Sequence, residues 1–202
     1  LSRTLKRMHP ADAADALEAL DYDTFEEAVE LLGGELPPEI LIELRDSYRE
    51  DAVDMLPDQA VAQALDELDS DDATTILEDL EEDRRERILE DLAPVDRAEL
   101  ERSLGYEEET AGRLMQTEFV AVPEFWTVGQ TIDHARNLGT ELPEVFYDVY
   151  VIDPAHRLLG IVSLANLLRQ PRETPLEDIM QEPTTTLDTS TDQEDVAFQF
   201  QK

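Results

Sequence analysis

Three four-residue stretches recur at a spacing of 12: Leu65-Asp66-Glu67-Leu68, Leu77-Glu78-Asp79-Leu80 and Leu89-Glu90-Asp91-Leu92. Such a short period leaves room for about three helical turns per repeat, and a helix of that length is not stable alone in water. Helices of this kind fold only by stacking and sharing a core. Residues 1 to about 104 keep the pattern, with apolar residues recurring at three and four: Ala13, Ala16, Leu17 and Leu20, or Ile76, Leu77 and Leu80. Pro10, Pro57, Ser70 and Pro94 stand at expected helix starts, where Asp or Ser caps and Pro fits the first turn. Gly33, Gly34, Pro37 and Pro38 break the run. The expectation is a superhelix of short α-helices with a core rich in Leu and Ala.

The periodicity changes near Gly105. Gly105 to Gly112 reads as a connector bearing Glu107, Glu108 and Glu109. Phe119 to Val122 is a strand candidate ended by Pro123, and Thr127 caps a helix to Leu138. Gly139 and Pro143 mark a turn. Val145–Ile152 and Leu158–Val162 then form a hairpin across the Asp153-Pro154 turn, and Ser163 or Leu164 opens a helix to about Gln170. This is a β-α-β-β-α unit. Beyond it come a short helix from Pro175 to Met180, a short strand Thr184–Leu187 and a helix led by Thr191. Leu114-Met115 parallels Ile179-Met180, so the order from Ala111 starts again, and the chain reads as stopping inside a second copy. That would leave Val196, Phe198 and Phe200 on an exposed face. The fold class is multidomain α plus α/β: helices over residues 1–104, a linker at 105–113, the mixed unit at 114–174, and the start of a second unit at 175–202.

Charge excludes several functions. The 202 residues carry 50 Asp plus Glu against 16 Lys plus Arg, a formal net charge of -34, and the only lysines are Lys6 and Lys202. Phosphate backbones and anionic lipids would be repelled, so no nucleic acid and no direct lipid contact are expected. With no cysteine there is no disulfide, thiolate zinc site or cysteine nucleophile. No signal peptide opens the chain and no apolar run approaches 18 residues. Acids so dominant over lysine also fit a protein from a salty cytoplasm, where self-repulsion is screened.

No catalytic constellation is legible, and no enzymatic turnover is expected. His9, His134 and His156 fall in three separate elements, and there is no HExxH, phosphate loop or EF-hand. Carboxylate density remains. Asp69, Asp71 and Asp72 cluster at one helix start, and Asp192, Glu194 and Asp195 at another. Acids there complement the helix dipole. They become a cation sensor only if two clusters face one another, because unpaired carboxylates repel and a hard divalent ion between them favours the closed arrangement.

An ordered series of motifs resembles the cytosolic part of the MgtE-type magnesium transporters and channels. The series runs from Met8-His9-Pro10-Ala11-Asp12 through Asp71-Asp72-Ala73 to Glu108, Ala111-Gly112, Leu114-Met115 and Glu118 to Val122. Tyr147, Tyr150 to Asp153 and Gly160 to Leu164 are similar to that family's first cystathionine-β-synthase (CBS) domain, and Thr191 to Ala197 to the start of its second. The resemblance implies a homodimer and a transmembrane pore domain of the same parent chain, at the cytoplasmic side of the membrane. Mg²⁺ held between cytosolic domains would close that pore. It also implies metal ligands at Glu39, Asp71, Asp192 and Glu194, while Thr75 stands where the family has a further acid. CBS modules often bind adenine nucleotides through an Asp three residues after a Ser or Thr. Here the pair is Ser163 and Asn166, which argues against a nucleotide on this chain. Two other readings stay open: a protein-interaction scaffold presenting a groove of the superhelix, and an acidic halophilic protein whose carboxylates only solvate it.

Overall fold

The computed structural model describes residues 2–139, 142–143 and 145–200. It divides into two compact units, Leu1–Met115 with Thr189–Lys202, and Gln116–Asp188.

The first unit is helical: α1 Ser2–Leu5, α2 Pro10–Glu18, α3 Tyr22–Leu32, α4 Pro38–Glu43, α5 Asp46–Met55, α6 Asp58–Glu67, α7 Ser70–Glu78, α8 Glu82–Asp91, α9 Pro94–Leu104 and α10 Ala111–Leu114. Helices pack chiefly against the one two places on: α2 on α4, α3 on α5, α6 on α8, α7 on α9. Phe25, Ile40, Leu41, Ile76, Leu77 and Ile88 are fully buried between them. The 12-residue repeat has a plain cause. Its second leucine leaves the helix: Leu68 and Leu92 are extended C-caps whose N–H groups donate to Ala64 and Leu89 carbonyls. Each repeat therefore buries one leucine on the helix and tucks the next under the following turn. Pro10 and Pro94 begin their helices, whereas Pro57 is the cap before α6. Gly33–Glu35 is a 3-10 turn, with Gly33 at φ 47.

Arginines tie the stack. Arg49 on α5 reaches Asp79 at the end of α7 at 2.6 Å, both side chains nearly buried. Arg84 on α8 contacts Asp58 at 2.8 Å and Asp54 at 3.2 Å, and donates to the Val53 and Leu56 carbonyls at the end of α5. Breaking a buried pair by removing one partner costs about 3–5 kcal/mol, far more than an exposed pair such as Arg97–Glu101 is worth.

The chain returns to this unit at residue 189. Ala111 and Gly112 N–H donate to the Thr191 and Thr189 carbonyls at 2.7 and 2.8 Å, and Gln193 N–H donates to the Glu109 carbonyl at 2.8 Å. Glu109 adopts φ 60, the left-handed region a non-glycine residue enters at a cost. This antiparallel seam precedes α13, Gln193–Phe200, which buries no side chain of its own. Asp192, not Thr191, caps the helix, its Oδ1 accepting from Glu194 N–H at 2.8 Å. The hydroxyl-led start expected there is corrected to a carboxylate-led one.

The second unit has the expected β-α-β-β-α order. Strand β1 Val120–Pro123 is parallel to β2 Asp148–Ile152, which is antiparallel to β3 Leu158–Ser163. Helix α11 Val128–Leu138 crosses between β1 and β2, and Thr127 with Gln130 forms its capping box. Val120, Val122, Val149, Val151, Val162, Leu167 and Leu176 make the core. Asp153 Oδ1 accepts from Ala155 and Arg157 N–H, closing the hairpin turn with His156 at φ 60. Helix α12 Leu164–Arg169 follows.

Two strand expectations are corrected. β2 starts at Asp148 rather than Val145, because its partner β1 begins at Val120, opposite Val149. Thr184–Leu187 forms no strand among the described residues: no ladder pairs it, and an unpaired segment has nothing to hold it extended. Pro175–Met180 contains only a 3-10 turn, Leu176–Asp178. The turn between Gly139 and Pro143 includes positions outside the described residues.

A Cβ at Gly112 would lie 2.6 Å from Tyr106 Cδ1 and 3.0 Å from Thr189 Cβ. Gly112→Ala is expected to cost about 1–3 kcal/mol, read from the urea unfolding midpoint. The Arg84 hydrogen bond holds the Asp58 carboxyl below its usual 3.8. Its stabilisation is present above the unfolded value and lost as pH falls through the lowered folded one. Asp58→Asn should therefore be less stable than the parent near pH 6, and the gap should narrow as pH is lowered below the unfolded value, in unfolding midpoints across an acid series.

Candidate functional site

The acids singled out from sequence fall on helix starts in the first unit. Asp71 lies half-buried in the first turn of α7. Asp71, Thr75 and Glu78 are spaced i, i+4 and i+7, so they share one helix face. They line a cavity of about 120 Å³ with Asp72, Thr74, Arg113 and Leu114. Thr75 donates its hydroxyl proton to the Asp71 carbonyl at 3.1 Å, which leaves its oxygen as an acceptor. A cation already sits here: the Arg113 guanidinium pairs with the Glu78 carboxylate and donates to the Leu104 carbonyl at 2.8 Å and to the Tyr106 carbonyl.

Glu78 and Arg113 also line a larger open cavity, about 880 Å³, with Asp46, Arg85, Glu108, Glu109 and Gln193. Gln193 stands between Asp192 and Glu194, so the start of α13 and the end of α7 share one cavity. Both Asp192 and Glu194 are exposed.

Glu39 lies elsewhere. It is exposed in the first turn of α4, beside a groove of about 330 Å³ that also takes Lys6, Glu35, Gln63 and Glu67 over a floor including Leu36, Leu41 and Leu56. Asp71 therefore shares its surroundings with the α13 start through Glu78 and Arg113, and Glu39 does not. Among the described residues, no group of three or more acids or histidines comes together as a metal cage.

The remaining candidates have structural roles. His9 precedes α2 as its N-cap, and His134 packs edge-on against Trp126 at 5.2 Å. Ser163 Oγ accepts from Asn166 N–H at 3.2 Å as the cap of α12, and Asn166 Oδ1 accepts from Gln170 at 3.1 Å. Ser163 and Asn166, at the CBS family's ribose positions, are thus engaged within the chain, Asn166 also donating to the Ile179 carbonyl at 3.4 Å.

Sequence reading passed over Glu78 and Arg113. Glu78 lies inside the repeat at Leu77–Leu80, and Arg113 falls between the pairs Ala111-Gly112 and Leu114-Met115. Their 35-residue separation hid the pairing.

Comparisons with known proteins agree with this architecture. Residues 8–109 match the MgtE intracellular N domain, and residues 111–173 match the CBS domain. The magnesium transporter MgtE of Thermus thermophilus is 38% identical over 104 residues, which cover 52% of this chain and 23% of that protein. The MgtE of Enterococcus faecalis is 36% identical over 102 residues, covering 50% of this chain and 22% of that one. The chain thus spans less than a quarter of those relatives' length. A crystal structure of the cytosolic domain of the Mg²⁺ channel MgtE in complex with ATP superposes with a TM-score of 0.86 at 31% identity, covering 100% of this chain and 82% of that one. The soluble part of a magnesium transporter superposes with a TM-score of 0.82 at 27% identity, covering 98% and 78%. No helix among the described residues is long and apolar enough to cross a membrane. The chain belongs to the MgtE family, whose intracellular N domain it carries joined to a CBS domain.

Proposed function

We propose that this chain is the cytosolic regulatory region of a magnesium transporter or channel, sensing Mg²⁺ and closing a pore carried elsewhere on the parent protein, with no catalytic turnover. The observation that carries the reading is the match along the whole chain to the cytosolic domain of a Mg²⁺ channel, N domain before CBS domain. In this reading residues 1–104 are the N domain, 105–113 the linker, 114–174 the first CBS domain and 175–202 the start of a second. The working form is a homodimer on the cytoplasmic side of the membrane.

Glu39, Asp71, Asp192 and Glu194 are the proposed metal ligands. Their chemistry fits: Mg²⁺ takes carboxylate oxygens one or two at a time and keeps several waters. Sites of that kind need no single-chain cage. Carboxylates from two surfaces repel until a divalent ion sits between them, so ion binding and the compact arrangement favour each other. Thr75 supplies a hydroxyl oxygen where the family has an acid, which removes a charge and weakens that contact.

The test is protease protection and calorimetry of the parent chain from zero to roughly 20 mM Mg²⁺ at fixed ionic strength, since a protein this acidic responds to any cation by screening. Protection should rise with Mg²⁺, Asp71→Asn should lose much of the response, and Thr75→Asp should tighten binding roughly tenfold by adding a ligand charge. Equal protection by sodium at matched ionic strength would overturn the reading in favour of an acidic scaffold.

A further inference from the structure

We infer that Arg113 is a positioning residue, an electrostatic clasp that makes the charge on α7 and the docking of residues 189–193 and α13 one coupled unit. The inference does not depend on the Mg²⁺ reading and is tested without divalent ions.

Helix α10 is only four residues long, too short to hold a place by itself. It nevertheless packs against α7, α9 and α13. Two sets of contacts fix it. On one side its backbone gives two amides to the returning chain, Ala111 to Thr191 and Gly112 to Thr189. On the other, Arg113 reaches past the end of α9 to the Leu104 and Tyr106 carbonyls and to Glu78 on α7. The Arg113 side chain is nine-tenths buried, and its Nε has no hydrogen-bond partner.

That burial decides what Glu78 does. A buried guanidinium needs a counter-charge, and removing it leaves an uncompensated cation in a poor solvent. Carbonyls can accept its protons but cannot neutralise it. Glu78 is the carboxylate its guanidinium contacts, and that carboxylate remains about a third exposed, so it can gain or lose partners from solution. Losing the Glu78 charge therefore drives Arg113 towards water. The connector must move with it, because Arg113 leaves the same four-residue turn that presents the Ala111 and Gly112 amides. The seam has little slack: Glu109 sits at φ 60 with its carbonyl held by Gln193, and Gly112 lies against Tyr106 and Thr189. Asp192 is paired opposite Thr110 in this seam, so the acidic start of α13 moves when the clasp opens.

The experiment is amide hydrogen exchange on the 202-residue chain and on Glu78→Gln, Arg113→Gln and the double variant. Ala111, Gly112 and Gln193 report the seam, while Phe25 and Ile40 report the core of the helical unit. Each single variant should speed exchange at the three seam amides about tenfold with the core amides unchanged, and the double variant should match the singles. Such non-additivity separates a clasp from two independent structural roles. If Arg113→Gln fails to fold, Arg113→Met replaces it in the same cycle, removing the charge while keeping an apolar stem in the buried position. The clasp is overturned if Glu78→Gln leaves the seam protected, or if its tenfold effect persists in full once Arg113 is replaced.

Discussion

Helices of about ten residues leave a large share of their carbonyls without partners inside the helix. In this chain guanidinium groups reach across helix ends to meet that need. Arg84 accepts no proton and gives several: to the carbonyls of Val53 and Leu56 at the end of α5, and to the carboxylates of Asp54 and Asp58. Arg113 repeats the arrangement after α9, with the carbonyls of Leu104 and Tyr106 and the carboxylate of Glu78. A cation at a helix C-terminus also opposes the negative end of the dipole. One side chain thus satisfies orphan acceptors, complements a dipole and neutralises acids. Lysine, with one compact ammonium, does this less well than a planar fork. The cations that cross helix ends in the helical unit are accordingly arginines.

The local rules of the chain were legible before the structure. Pro10, Ser70 and Pro94 marked helix starts, Thr127 the start of α11, and Asp153-Pro154 the hairpin turn, because each signal acts within a few residues. The misses involve partners distant in sequence. Thr184–Leu187 has strand-like composition, yet a strand exists only with a ladder beside it. The docking of 189–193 on 109–112 joins segments about 80 residues apart, and no periodicity announces it.

The candidate site shows the same division. Asp71, Asp192 and Glu194 stand at helix starts as their spacing implied, but the spacing did not show what stands beside them. Asp192 spends one oxygen on its own helix, and the α7 acids face an arginine from the connector. Glu39 and Asp71, similar on paper, line different cavities because α4 and α7 present their first turns to different surroundings. Local sequence sets which helix starts are acidic. Stacking order sets which of them share a cavity.

A resident guanidinium changes what the α7 acids offer a solution cation. Affinity for a hard divalent ion rises with the number of charged oxygens it can gather. Here Glu78 is already committed to Arg113, and Thr75 contributes a neutral oxygen. A cation arriving at Asp71 meets fewer free charges than the acidic composition implies. It gains more only by drawing Glu78 away from Arg113, which costs the clasp. If Asp71 is a ligand as proposed, its site would be weak, and a weak site suits regulation: a sensor that saturates far below the ambient ion concentration reports nothing when that concentration changes. On the Mg²⁺ reading proposed above, the internal ion pair would set the threshold at which an external ion acts, and would connect that threshold to the placement of α13.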